Sequence, residues 1–199
     1  LWVVGFGILS WKFKDRVRAT FQKIKLPWQF SFIIFCIFLA MIEEYIAVSL
    51  NNTATWFGLS GNYAYLTASS NYLDVILGHS VIVFVPLFIA WAILLSKYDF
   101  TPDQVFLLFG LSGTLAEILY ADLSVLPQIG FWIFVYGLMI YLPAYSLPAR
   151  NVKKPGPIIF IISVIFPLLL TLLVTPPVLQ VIHHLRPSTT NPLPPPPLP

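Results

Sequence analysis

Residues 28–48 read WQFSFIIFCIFLAMIEEYIAV, an almost unbroken apolar run that carries two adjacent carboxylates, Glu43 and Glu44, near its end. Crossing the hydrocarbon core of a bilayer takes roughly 20 helical residues, so this run is long enough for one transmembrane helix. Ionisable side chains inside such a helix are costly and are therefore candidates for a functional role. The run predicts both the fold class and the place of a site.

The composition of the whole chain also indicates a membrane protein. Of its 199 residues, 58% are hydrophobic and 10% are charged, whereas a soluble domain usually has about 25% charged residues. So few charges cannot cover a water-exposed surface, and the chain is expected to contact the lipid bilayer directly. The single cysteine, Cys36, excludes an internal disulfide and a cysteine-based metal cluster. The basic residues lie beside the apolar runs, so they do not indicate nucleic-acid binding.

The apolar runs together predict an all-α polytopic bundle with five full transmembrane helices and a partial one at the start. The full spans are expected, within a bundle covering 27–184, at about 28–48, 74–95, 104–121, 129–147 and 157–181. The start of the span at 104–121 is marked by Thr101 as a cap, Pro102 at the first helical position and Gln104 closing a capping box.

The segments outside these spans differ in character. Residues 1–10 are apolar but only half a span long, and we interpret them as the end of a first span. Residues 11–26 mix basic and apolar side chains, which is typical of an amphipathic segment on an anionic lipid surface. Residues 49–73 predict an external loop. Residues 185–199 predict an extended, proline-rich tail.

The basic residues predict the orientation of the bundle. Of the 11 Lys and Arg, all but Arg186 fall in the segments 11–26, 96–103 and 148–156. These segments lie on one side if every predicted span is real, and the positive-inside rule makes that side cytoplasmic. The loop at 49–73 and the C-terminal tail are then extracytoplasmic. The expected location is the plasma membrane or an equivalent energy-transducing membrane.

Four polar side chains are expected at a similar depth in the membrane. Counting about 1.5 Å per helical residue places Glu43, Glu44, His79 and Glu117 within roughly one helical turn of each other, in the outer half of the bilayer. Two stripes of small residues contain Glu43 and Glu117. Small residues let membrane helices approach closely, so both carboxylates are expected to face other helices. The stripes consist of Cys36, Ala40 and Ala47, and of Gly110, Gly113 and Ala121.

Three interpretations of these four residues remain open. In the first, His79, Glu44 and Glu117 bind a divalent transition metal, with Glu43 beside them, because imidazole and carboxylates suit zinc, iron or manganese. The four residues would then be catalytic in a membrane-embedded enzyme, a hydrolase or one that modifies lipids or isoprenoids. In the second, a carboxylate shares a proton with His79, as in transporters. In the third, the groups hydrogen-bond to one another and hold the bundle, or a partner subunit, in register.

Other patterns are less specific. Tyr136, Tyr141 and Tyr145 recur on the span at 129–147, which is typical of packing or interface anchoring and alternatively of a site for a lipid, an isoprenoid or a carotenoid. Glu43-Glu44 followed by His79 resembles the first motif of the CAAX-type intramembrane endopeptidases, which implies a hydrolase. That motif has an Arg four residues after the second Glu, where this chain has Val48.

A GxSG pattern at 110–113 is similar to that of the rhomboid proteases, which also need a histidine on a later span facing the serine. The only later histidines, His183 and His184, lie at or beyond the outer end of the last predicted span, too far from Ser112. Glycines that pack between helices explain this pattern better.

For function, the sequence favours a non-catalytic subunit of a larger membrane protein complex. The cytoplasmic loops are short, a complete catalytic motif is missing, and the proline-rich tail is suited to lie along another membrane protein subunit. The alternative is the membrane-embedded enzyme described above. A proton-coupled transporter is less favoured, because no internal inverted repeat is evident.

Overall fold

The computed structural model describes residues 1–59, 67, 69–120 and 123–185, and this part of the chain is helical and contains no β-strand. A turn of π-helix at Trp2–Phe6 leads into the first α-helix. The α-helices of the described residues are α1 (Gly7–Phe21), α2 (Trp28–Thr53), α3 (Tyr72–Gly78), α4 (Ser80–Lys97), α5 (Pro102–Tyr120), α6 (Ile129–Tyr145) and α7 (Pro157–Leu185). Residues 60–66, 68, 121–122 and 186–199 lie outside the described residues, and they include parts of the predicted external loop and most of the predicted tail.

Four helical stretches of the described residues are long and apolar enough to cross a membrane. They are Trp28–Phe57, Tyr72–Lys97, Leu126–Tyr145 and Pro157–Ile182. The all-α fold class is therefore confirmed, whereas five full spans and a partial one are not. The predicted span at 104–121 corresponds to α5, which is long enough but carries Asp103, Gln104 and Glu117. These side chains lower its mean hydropathy.

The N-terminal segment is helical across the predicted boundary. The sequence predicts a boundary near residue 10 between a partial span and a basic segment. In the structure, α1 continues across that position from Gly7 to Phe21. The segment is fixed by Trp2, which is 6% exposed and whose indole Nε1–H donates to the carbonyl oxygen of Val135 at 2.9 Å. Residues 1–21 therefore form one helical arm against α6.

The predicted span at 74–95 is divided into two helices. α3 ends at Gly78 and α4 begins at Ser80, and His79 between them has φ −138° and ψ −98°, which is not helical. The start of α5 follows the prediction. The N–H of Thr101 donates to Gln104 Oε1 at 2.9 Å, and the N–H of Gln104 donates to the Thr101 hydroxyl at 3.2 Å. The capping box is confirmed.

Glycines bring α5 and α6 into close contact. A Cβ atom placed on Gly110 would lie 2.6 Å from the carbonyl oxygen of Ile133, and one placed on Gly113 would overlap the ring of Tyr136. On the other helix, a Cβ on Gly137 would lie 2.6 Å from the ring of Phe106. Small residues allow this separation, because a larger side chain would force the backbones apart. The two helices form an antiparallel pair, packed also against α2 and α7.

The three basic segments meet at one end of the bundle. The N–H of Asp99 donates to the carbonyl oxygen of Lys153 at 2.9 Å, and Arg150 donates to the carbonyl oxygen of Leu95 and lies 3.5 Å from the Asp99 carboxylate. Burial lowers the pKa of the Arg150 guanidinium, which the charge of Asp99 partly offsets. The Gln22 amide, at the end of α1, lies 3.5 Å from the carbonyl oxygen of Ser146.

Candidate functional site

Three of the four predicted site residues come together at the end of the bundle opposite the basic segments. Glu43 and Glu44 lie in the second half of α2, and Glu117 lies in the last turn of α5. Tyr136, from α6, joins them because its hydroxyl donates to Glu117 Oε1. We call Glu43, Glu44, Glu117 and Tyr136 the carboxylate cluster.

The members of the cluster are partly or fully withdrawn from the surface. Glu44 and Tyr136 are each 6% exposed, and Glu43 and Glu117 are half-buried. Glu43 lies close enough to Glu44 and Glu117 for the three acidic groups to interact, and Tyr136 lies close to all three. The cluster therefore connects α2, α5 and α6.

No basic side chain in the described part of the chain pairs with these carboxylates. The ion pair that the described residues do form, Arg150 with Asp99, lies at the opposite end of the bundle. Like charges at short distance disfavour one another, so hydrogen-bond donors must stabilise the cluster. Tyr136 supplies one to Glu117, and the side chain of Ser80, at the start of α4, lies beside Glu44.

The fourth predicted residue, His79, is not drawn into the cluster. Its side chain is exposed, and its backbone forms the break between α3 and α4. Among the described residues, no group of three or more His, Cys, Asp and Glu side chains is arranged to hold a metal ion. A metal site of His79, Glu44 and Glu117 therefore stays a prediction, without support from this geometry.

Aromatic residues near the cluster were not identified as site residues from the sequence. Tyr72, on α3, donates its hydroxyl to the carbonyl oxygen of Met41 at 2.8 Å, and its ring meets Tyr45 edge-on at 5.6 Å. From the sequence, Tyr136 is assigned to packing or interface anchoring, or alternatively to a site for a lipid, an isoprenoid or a carotenoid, and not to a contact with Glu117. Tyr136 lies opposite Gly113, one helical turn along α5 from Glu117, and only the packing of α5 on α6 brings it there.

The three tyrosines of α6 do not line a common cavity in the described residues. Tyr136 is bound to Glu117, whereas the Tyr145 hydroxyl donates to Asp15 Oδ1 at 2.7 Å. Tyr141 borders a pocket of about 180 Å³ with Ser10 and other residues, below the 300–1,000 Å³ typical of ligand sites. A site for a lipid, an isoprenoid or a carotenoid on this stripe stays a prediction.

Ser112 of the GxSG pattern has a structural explanation. It is 0% exposed, and its hydroxyl lies 3.0 Å from the carbonyl oxygen of Leu108 and 3.0 Å from that of Val164. The first contact is within α5, and the second joins α5 to α7. Ser112 therefore packs between helices, as the glycines around it do.

Comparisons with protein families, with curated proteins and with solved structures find no match to this chain. The function must therefore be argued from the carboxylate cluster. Its side chains can accept and donate hydrogen bonds between three helices, and its carboxylates are suited to bind protons or cations.

Proposed function

We propose that this integral membrane protein is a non-catalytic subunit of a larger membrane protein complex, in which the carboxylate cluster holds its helices in register. The observation that carries the proposal is the contact of Tyr136 with Glu117, since it uses a carboxylate to join α6 to α5. A catalytic centre needs space for substrate beside its acids and bases. Neither of the two pockets found among the described residues is lined by a residue of the cluster.

The outer surface offers room for partner subunits as well as for lipid. α7 is the least buried of the four candidate spans, because 22% of its most apolar stretch is buried inside the protein. Leu172 and Leu173 on this helix are 63% and 74% exposed. A helix of this kind packs against lipid or against the helices of another subunit. Together with the proline-rich tail predicted at 185–199, this surface supports assembly with other membrane proteins.

The second candidate function is a membrane-embedded enzyme, a hydrolase or one that modifies lipids or isoprenoids. The observation that favours it is the grouping of Glu43, Glu44 and Glu117 without a basic partner among the described residues. Intramembrane carboxylates of this kind mark functional sites in many membrane proteins. The exposed position of His79 argues against its acting with them as a metal ligand.

The two functions differ in the mass of the native particle. We expect the tagged chain, solubilised from its native membranes in mild detergent, to run in native mass measurements well above its own 22.5 kDa. The same chain expressed alone should run at a lower mass. Deletion of residues 187–199 should lower the mass of the native particle toward the mass of the chain expressed alone. Equal masses from both sources would contradict the subunit proposal. If Glu44→Gln lost activity while the mass of the native particle stayed the same, the enzyme proposal would be favoured.

The orientation of the bundle is a separate expectation. Because the three basic segments meet at one end, the positive-inside rule assigns that end to the cytoplasm. In a Cys36→Ala background, we expect Thr55→Cys to react with a membrane-impermeant maleimide in intact cells, since Thr55 is exposed at the other end. Lys154→Cys, also exposed, should react only after permeabilisation. The opposite labelling pattern would reverse the assignment.

A further inference from the structure

Of the two pockets found among the described residues, the larger lies among the basic segments, far from the carboxylate cluster. It has a volume of about 560 Å³ and is bordered by the end of α1, the α1–α2 connection, the first turn of α2 and the chain after α6. This volume falls in the range of about 300–1,000 Å³ that small-molecule sites have.

Hydrogen-bond donors surround this pocket. Arg18 lines it from α1, Gln22 from the residue that follows α1, and Ser31 from α2. Ser31 is 5% exposed, and its hydroxyl has no hydrogen-bond partner in the described part of the chain. A buried hydroxyl without a partner is unfavourable, so a bound acceptor would stabilise it. The Gln22 amide reaches the carbonyl oxygens of Ser146 and Leu147 only at 3.5 Å.

The charge of the pocket favours an anion. Its lining includes Arg18, whose guanidinium carbon lies 5.7 Å from the centre of the Tyr145 ring, and no Asp or Glu. Lys23 and Lys25 lie in the adjoining connection. The pocket also adjoins the N-terminus of the 26-residue helix α2, where Pro27 supplies no side-chain cap for the first N–H groups. Free N–H groups at a helix N-terminus attract negative charge.

Apolar side chains beside the same pocket favour a lipid over a soluble anion. Leu26 lines the pocket and is 54% exposed. From the pocket, α2 continues with Phe30, Ile34 and Phe38, which recur every four residues and are 62%, 57% and 55% exposed. Residues at this spacing lie on one helix face. That face is suited to contact an acyl chain.

We propose that the pocket at the α1–α2 junction binds the phosphate group of an anionic phospholipid. Arg18, Gln22 and Ser31 donate to the phosphate oxygens, and Leu26 with the exposed face of α2 contacts the acyl chains. The site is distinct from the carboxylate cluster and does not depend on the function proposed for it.

Native mass spectrometry of the full chain in detergent tests this proposal, with phosphatidylglycerol and phosphatidylcholine as probes. We expect one phosphatidylglycerol to bind about tenfold more tightly than phosphatidylcholine. We expect Arg18→Gln and Ser31→Ala each to weaken its binding by about tenfold, the usual effect of losing a hydrogen bond to a charged group. Arg16→Gln is the matched control, because Arg16 is exposed on α1 and does not line the pocket.

Each other outcome would overturn the proposal. Equal weakening by Arg16→Gln would show that binding reflects the general positive charge of the segment. Displacement of the lipid by millimolar inorganic phosphate, with the same dependence on Arg18 and Ser31, would assign the pocket to a soluble anion. Equal affinity for both lipids would exclude recognition of the anionic head group. The thermal unfolding midpoint of each variant, measured without added lipid, separates lost binding from lost folding.

Discussion

Gly110→Ala is expected to destabilise the protein by about 2 kcal/mol. The added Cβ would lie 2.6 Å from the carbonyl oxygen and 3.0 Å from the Cα of Ile133. These are backbone atoms that can yield only if α5 and α6 separate. Overpacking of this kind typically costs about 1–3 kcal/mol, and the better helix propensity of alanine returns at most about 1 kcal/mol. SDS-induced unfolding in mixed micelles, followed by circular dichroism, measures the difference.

The matched control for this substitution is Gly130→Ala. Gly130 lies in α6 of the same helical pair, but a Cβ there would meet nothing within 4 Å. We expect this variant to be as stable as the wild type or slightly more stable, since alanine is the better helix former. An equal loss in both variants would mean that glycine is needed for the helices themselves. No loss at Gly110 would mean that α5 and α6 are less closely packed than described.

The sequence predicts local features well where their cause is local. The capping box at Thr101 depends on residues only three positions apart, and the structure confirms it. The stripe with Gly110 and Gly113 predicts that α5 faces another helix, and both glycines contact α6. The stripe does not predict which residue of α6 contacts Gly113, because only the packing of the two helices brings the ring of Tyr136 to that position.

The missed features depend on long-range packing or on a single backbone angle. His79 was placed beside the carboxylates by counting helical residues through an unbroken span. Residues 80–95 are helical in α4, so this depth is unchanged, but His79 itself is not helical and its side chain is exposed. The contact of the N-terminal segment with α6 was missed for another reason. Trp2 packs on α6 through Val135, and no pattern within residues 1–26 encodes that contact.

The largest expected effect at the candidate site is on the pair Tyr136 and Glu117. Tyr136→Phe keeps the ring that packs on Gly113 but removes the hydroxyl that donates to Glu117. The carboxylate then loses a donor where the described residues offer no basic partner. We expect a loss of stability of about 1–3 kcal/mol, the cost of leaving a buried polar group unpaired. Tyr141→Phe is the control, because the Tyr141 hydroxyl donates to no side chain or backbone group in the described residues.

A double-mutant cycle that combines Tyr136→Phe with Glu117→Ala measures the hydrogen bond between the two side chains separately from their other contacts. Either substitution alone leaves one polar group without its partner, whereas the double variant removes both groups. The two losses should therefore not add, and the coupling energy should be about 1–2 kcal/mol. Additive losses would show that the hydroxyl and the carboxylate do not interact.

Glu117→Gln then distinguishes the two candidate functions, because an amide oxygen still accepts the hydrogen bond from Tyr136. If the cluster only holds the helices in register, this variant should unfold and assemble nearly as the wild type does. Glu43→Gln should be neutral or stabilising, since it removes one of three adjacent acidic groups, each of which disfavours the charge of the others. If the carboxylates are catalytic, both variants should remain folded and assembled and lose activity, because an amide cannot replace a carboxylate in moving a proton. Loss of assembly in Glu117→Ala, with assembly kept in Glu117→Gln, would therefore assign the cluster to structure.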